Sequence, residues 1–341
     1  MKVMKKVLTG TMVLAMAALF TSCNKGDAKE IIRISHNQAA DYPTNTGLLA
    51  FEKYIEEHLG DKYDVQIFPN ELLGSQVNTV ELTQTGAINF TVASNAILES
   101  FDNIYQIFNL PYLFTSTEHY HAVMDNKDII EPIFKSTKKS GFEAVAWLDA
   151  GTRNFYTVKK PILTPDDLKG MKIRVQQSAS NIRMMQLFGG SATPMGFGEV
   201  YTALQQSVID GAENNEPALT SNKHGEVAKY YSYNMHQMVP DIVIGNEKFL
   251  SSLSKEEREI FDKGFQIISQ VQREAWGAYV EKSIKGAKEM NVQFFHPDVL
   301  AFQERVLPLH QEVLVASPKL EPIYNQIQEI GKSMIGGKEN E

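Results

Sequence analysis

Apolar and polar positions along the chain keep two rhythms, one of period two and one of helical period. Ile31-Ile32-Arg33-Ile34 predicts a short strand, and Leu48, Phe51, Ile55 and Leu59 then recur at helical spacing. Asp64-Val65-Gln66-Ile67-Phe68 alternates as a strand that Pro69 ends. Thr79 to Gln84 predicts a helix closed by Gly86, and Ile88 to Val92 a further strand. Such a β-α-β-α-β order implies a parallel or mixed sheet covered by helices. Phe142 to Trp147 predicts another buried strand. After Gly151 the pattern restarts, with a strand at Lys172-Ile173-Arg174-Val175 and helices at Ser180–Leu187 and Glu199–Gln206. Ser254-Lys255-Glu256-Glu257 fits a capping box, with Ser at N-cap and Glu at N3. The apolar stripe that follows (Phe261, Phe265, Ile268, Ala275, Tyr279, Val280) meets no proline before about Met290. At 1.5 Å per residue such a helix is roughly 55 Å long, more than one small domain holds, so it is expected to cross between two. Val292 to Phe295 predicts one more strand, and the tail from Leu300 to Ile335, broken by Pro308, Pro318 and Pro322, predicts short packed helices. The expectation is therefore an α/β fold of two similar lobes, bridged by a long helix, with a ligand cleft between them. Lobes joined by few crossings tend to hinge.

The amino terminus breaks this rhythm. Lys2, Lys5 and Lys6 precede a mostly apolar run from Val7 to Phe20, and Thr21-Ser22-Cys23 precedes polar Asn24-Lys25-Gly26-Asp27. A basic end, a short apolar stretch and small residues before a break describe a secretory signal, too short to span a bilayer comfortably. A cysteine at the cleavage point resembles a bacterial lipoprotein box, although Leu19 stands four residues before it rather than three. Residues 1–22 are read as the signal, Cys23 as the lipidated first residue of the mature chain, and 23–30 as a tether.

Composition narrows the function classes. The 341 residues are 43% hydrophobic and carry a formal net charge of −8, with no basic block. That balance argues against nucleic acid as a partner, since phosphate neutralisation needs clustered Lys and Arg. Cys23 is the single cysteine, which removes intrachain disulfides and cysteine metal cages.

Catalytic signatures are scarce. The chain has no Gly-x-Ser-x-Gly and no His-Glu-x-x-His, and Gly196-Phe197-Gly198 lacks the third glycine of a dinucleotide loop. His119 and His121 would ligate a metal together only on a loop, and read better as packed residues at a helix start. Asp166-Asp167 reads as a helix N-terminus, where acids complement the dipole. No cofactor or metal is expected. Two arginines remain: Arg153 in Ala150-Gly151-Thr152-Arg153, and Arg174 inside an apolar strand. A guanidinium keeps its charge, so a buried one needs a partner. That partner is either an internal acid or an anionic ligand held bidentately.

Several motifs occur in one order: Gly151-Thr152-Arg153, Leu168-Lys169-Gly170-Met171-Lys172-Ile173-Arg174-Val175, Thr193-Pro194-Met195, Glu199-Val200-Tyr201-Thr202-Ala203-Leu204-Gln205-Gln206 and Asp210-Gly211-Ala212-Glu213-Asn214-Asn215. With Pro69, Leu73-Gly74-Ser75 and Leu110-Pro111-Tyr112-Leu113-Phe114, the set resembles the extracytoplasmic solute-binding proteins of tripartite ATP-independent periplasmic (TRAP) transporters, the DctP family, over about Ile31 to Gly331. The resemblance implies two lobes, 31–150 with about 240–279 and 151–239 with about 280–335. It implies an organic-acid ligand, TRAP membrane permease subunits as partners, an envelope or periplasmic location, contact with the membrane only through the lipid anchor, and no enzymatic activity. It assigns the ligand's carboxylate to Arg174, helped by Arg153, with Asn214 as a polar contact and Phe197 packing on the ligand. Less firmly it points to His36, Asn37, Gln76, Ser94 and Asn95 in the first lobe.

The chain also departs from the family. Gln176-Gln177 follow Arg174-Val175 where many members have proline, and Asn214-Asn215 precede Glu216-Pro217 where many have one Asn. Together with Asp41-Tyr42-Pro43-Thr44, these stretches resemble members that take hexuronates such as D-glucuronate and D-galacturonate. Amides such as Gln177 and Asn215 can both donate to and accept from sugar hydroxyls. Sialic acid or a C4-dicarboxylate on the same fold, a sugar-acid lyase or isomerase, and a sensory lipoprotein are the alternatives.

Overall fold

The computed structural model describes residues 29–338, so the expectations for the signal segment and Cys23 lie outside the described residues. Among the described residues eleven strands form two sheets. In chain order they are β1 (Glu30–Ser35), β2 (Tyr63–Phe68), β3 (Phe90–Ser94), β4 (Phe142–Leu148), β5 (Arg153–Thr157), β6 (Lys172–Val175), β7 (Ser191–Pro194), β8 (Gly211–Asn214), β9 (Tyr230–Gln237), β10 (Asp241–Asn246) and β11 (Gln293–Phe295). The first sheet has the order β2-β1-β3-β10-β4 and the second β11-β9-β5-β8-β6-β7.

In each sheet a parallel set is closed by antiparallel strands. β1 runs parallel to β2 and β3, and β10 returns antiparallel between β3 and β4. In the second sheet β6 lies parallel to β7 and β8, while β5 is antiparallel to β8 and β9. The chain passes between the sheets at the β4–β5 link, at the β9–β10 link, and along the helix Lys255–Glu289.

That helix begins with the expected capping box: Ser254 Oγ accepts the Glu257 N–H and Glu257 accepts the Ser254 N–H. Its first half buries Phe261, Phe265 and Ile268 against Phe51, Ile55, Phe90 and Phe249. Midway, Gln272 donates to the Asp149 carbonyl and accepts the Asp149 N–H, at the point where the chain leaves the first sheet. Its far end buries Ala287 among Tyr156, Leu219 and Tyr231 beneath the second sheet. One rigid rod thus spans both lobes. Gly151, in the β4–β5 link, has φ +63°, and a Cβ there would lie 2.9 Å from Trp276 Cζ2 on the same helix. Only glycine suits that close approach.

Some elements differ from the sequence reading. The third strand lies two residues later than expected, at β3, which makes Ser94 the strand end and Asn95 the first residue of the helix Asn95–Leu98. β5, β7, β8, β9 and β10 were not anticipated. In β8 all four residues are buried, including Glu213 and Asn214, so no alternation marks it. His119 and His121 lie on the helix Thr117–Met124. His119 is buried, with Nε2 donating to the Ile327 carbonyl, and His121 pairs with Asp149. The tail helices Val299–Val306 and Pro308–Ala316 pack on Ala179–Phe188 of the second lobe. The last helix, Glu321–Lys338, packs instead on Thr117–Met124 of the first lobe, so the span to 335 does not stay with the second lobe.

Candidate functional site

The parallel strands of both sheets point their carboxyl ends at one space, the usual place for a ligand in open α/β sheets. From the first lobe come Asn37 and Gln38 after β1, Glu71 and Gln76 after β2, Ser94 at the end of β3, Ile97, and Asp241 at the head of the antiparallel β10. From the second come Arg153, Arg174, Gln176, Gln177, Gly196, Phe197, Asn214 and Asn215, with Ala150 in the β4–β5 link between the lobes. Together they line a narrow cleft between the lobes, the kind of concave, inter-lobe space in which small ligands bind.

The two arginines take different parts. Arg153 is 5% exposed and faces Glu213 on the neighbouring strand. Its Nε pairs with Glu213 Oε2, Nη2 donates to the Glu213 carbonyl at 2.9 Å and Nη1 to Asn214 Oδ1 at 3.1 Å. Burial alone would raise Glu213, but Arg153, with His236 behind it, holds that carboxyl down to about 2. The Arg153 charge is therefore neutralised inside the protein. Arg174 is 3% exposed. Its Nε and Nη2 donate to the Met195 carbonyl at 3.2 and 2.9 Å, and its Cζ lies 5.7 Å from the centre of the Phe197 ring. Among the described residues no carboxylate lies within ion-pair distance of it, and Nη1 makes no hydrogen bond. Burial pulls Arg174 down from the usual guanidinium range, yet a guanidinium stays charged at neutral pH. A desolvated cation with one edge open to a cleft has the chemistry to receive an anion.

The family model described as "Bacterial extracellular solute-binding protein, family 7" (DctP) matches residues 34–316. The chain belongs to the DctP family. A crystal structure of a TRAP periplasmic solute-binding protein from Anaerococcus prevotii, with bound α/β-D-glucuronate, is 59% identical, with 89% of this chain and 99% of that one covered and a TM-score of 0.89. A TRAP periplasmic solute-binding protein from Sulfitobacter sp. NAS-14.1, with bound β-D-galacturonate, is 32% identical over 88% of this chain and 100% of that one, with a TM-score of 0.85. The "uncharacterized protein YiiZ" of Salmonella typhimurium is 40% identical over 92% of this chain and 95% of its own. The family is extracytoplasmic, and its members are solute-binding proteins. Among the described residues no helix is long and apolar enough to cross a membrane, and no group of three or more His, Cys, Asp or Glu could hold a metal.

Of the DctP residues expected from sequence, Asn37, Gln76, Ser94, Arg153, Arg174, Gln177, Phe197, Asn214 and Asn215 line the cleft; His36 and Asn95 do not. His36 lies behind it, 1% exposed. Its Nδ1 accepts the Gln38 N–H, so Nε2 carries the proton and donates to Asn45 Oδ1 at 3.0 Å. Burial lowers its pKa to about 4, and the neutral ring fixes the backbone that presents Asn37 and Gln38. Asn95 donates to the Tyr105 carbonyl and Asn109 Oδ1, both at 2.8 Å, and so braces the chain after β3. Gln76 Oε1 accepts the Ser94 N–H at 2.8 Å, joining two cleft residues of the first lobe. Asn215 Nδ2 donates to the Ala150 carbonyl at 2.9 Å and to Tyr42 Oη at 3.3 Å, which ties the second lobe to the first.

Sequence reasoning missed Gln38, Glu71, Ile97, Ala150, Gln176, Gly196 and Asp241. Asp241 had one signal, an acid heading the apolar run Ile242-Val243-Ile244. Its position is set by pairing with Ser94 and Leu148. Burial raises its carboxyl to about 6, partly countered by Arg153.

Proposed function

We propose that this protein is the solute receptor of a TRAP transporter and that it captures a hexuronate, D-glucuronate or D-galacturonate, for delivery to the membrane permease subunits. The observation that carries the reading is the open Nη1 edge of buried Arg174, which among the described residues has no carboxylate paired with it. The ligand's carboxylate takes that edge. Phe197 packs beneath it, and the ring hydroxyls meet Asn37, Gln76, Ser94, Gln177 and Asn214. Arg153 contributes mainly by orienting Asn214, because Glu213 neutralises its charge and three of its five N–H groups are spent on Glu213 and Asn214. Asn215 works the same way, as a tie between lobes. Binding involves no covalent step, and contacts from both lobes favour the closed arrangement, since only differential affinity shifts such an equilibrium. Acylation of Cys23 anchors the receptor at the envelope surface. The hexuronate-bound relatives support the ligand class.

A thermal-shift screen against D-glucuronate, D-galacturonate, sialic acid and succinate tests the reading. Ligand at a hundred times its dissociation constant stabilises the fold by about 2.7 kcal/mol. Uronates should raise the melting point and succinate should not. A shift with succinate alone would reject the uronate assignment, and conversion of a uronate to product would reject a purely binding role.

A further inference from the structure

The cleft that offers Arg174 to an anion also contains two acids. With Arg153 neutralised by Glu213, the charges left facing the space are Arg174, Glu71 and Asp241. The hydrogen-bonding groups are equally lopsided. Glu71 Oε1 and Gln38 Oε1 are buried without a partner, and Gln38 is only 9% exposed. The Asp241 carboxylate makes no hydrogen bond among the described residues. Buried acceptors left open in this way call for donors from the ligand. Hydroxyls are donors and an ionised carboxylate is not.

Glu71 is held in place by a costly backbone. Asn70 and Glu71 both have φ +56°, the left-handed region that L side chains rarely adopt. The turn is pinned to the exit of β1, with the Asn70 N–H donating to the Gln38 carbonyl at 2.9 Å and the Glu71 N–H to the His36 carbonyl at 3.1 Å. The other carboxylate oxygen reaches the second lobe, 2.5 Å from where a Cβ on Gly198 would stand. Strain of this kind persists where the surroundings over-determine it, commonly at ligand sites.

We infer that Glu71 and Asp241 are specificity-determining residues that accept ligand hydroxyls and repel a second carboxylate, so that the cleft takes monocarboxylate sugar acids and rejects dicarboxylates of the same length. The inference rests on the hexuronate reading and adds to it the basis for exclusion. A monoanion meets one free cation and several acceptors that its hydroxyls satisfy. A dianion brings a second charge against two carboxylates and leaves those acceptors unpaired. Desolvated like charges repel more strongly than they would in water.

The test is calorimetric titration of the protein with D-glucuronate and with D-glucarate, whose aldehyde end is a second carboxylate. Wild type should prefer glucuronate by at least about a hundredfold. Asp241→Asn and Glu71→Gln keep an accepting oxygen and remove charge. Each should narrow that preference, and the double variant should narrow it by at least about tenfold. Equal affinity of wild type for both acids overturns the inference, and so does an unchanged ratio in Asp241→Asn with the fold intact by circular dichroism. Either result leaves the hexuronate reading standing. Heat from succinate with none from either uronate would overturn that reading as well, and the two failures are therefore distinguishable.

Discussion

Arg174→Ala is the sharpest perturbation of the proposed site. Met195 occupies Nε and one hydrogen of Nη2. A ligand carboxylate is left with Nη1 and the outward hydrogen of Nη2, enough for a two-bonded pair. Charge-assisted hydrogen bonds contribute roughly 1.5–3 kcal/mol each, so the pair is worth about 3–6 kcal/mol before desolvation of the ligand is set against it. At the lower bound of about 3 kcal/mol, affinity falls at least about a hundredfold. Arg174→Lys keeps the charge but loses the fork and the contact with Met195. It should fall between the two, about tenfold or more below wild type. The assay is calorimetric titration with D-glucuronate, with circular dichroism and a melting curve as the check on folding. An Arg174→Ala variant that is folded and binds within about threefold of wild type would place the carboxylate elsewhere and refute the argument.

Glu213→Gln removes the only carboxylate paired with buried Arg153 among the described residues. An uncompensated internal cation costs about 3–5 kcal/mol, so chemical denaturation should show a loss of that order; a loss below about 1 kcal/mol would mean that Arg153 finds another partner. Stability should also fall on acidification. His36 and His224 are buried neutral with pKa values lowered to about 4 and about 3, against 6.5 unfolded. Their contribution is whole above pH 6.5 and is lost as pH falls toward those folded values, up to about 3 kcal/mol from His36 alone. Asp241 runs the other way: its carboxyl, raised to about 6, favours the fold at low pH and loses that contribution as pH rises through 6. Urea midpoints measured across this range should drop toward acid, and a flat profile would contradict the buried neutral histidines. Mass spectrometry of the mature protein should find acyl chains on Cys23; an unmodified N-terminus at another residue would remove the anchor.

The sequence by itself determined the elements whose signals are local. The Ser254 capping box and its apolar stripe gave a helix observed at Lys255–Glu289. The apolar strand around Arg174 is β6 to the residue. The ordered motifs were enough to recognise the family, because short-range turns, caps and strand ends recur together. Arg174 also stood out locally, as a charge inside an apolar run.

Tertiary structure alone decided which arginine is open. Arg153 and Glu213 are 60 residues apart and meet only because β5 pairs with β8. Nothing local to either residue announces that pairing. The same holds for β8, whose buried polar residues follow no periodic pattern because both faces are covered, and for Asp241, which enters the cleft because β10 returns antiparallel between β3 and β4. The family resemblance pointed to His36 as a ligand contact, but Asn45 and the Gln38 backbone claim both ring nitrogens. Periodicity and capping depend on neighbours a few residues away. The charge balance of a cleft depends on which distant strands lie side by side, and that was settled only when the chain packed.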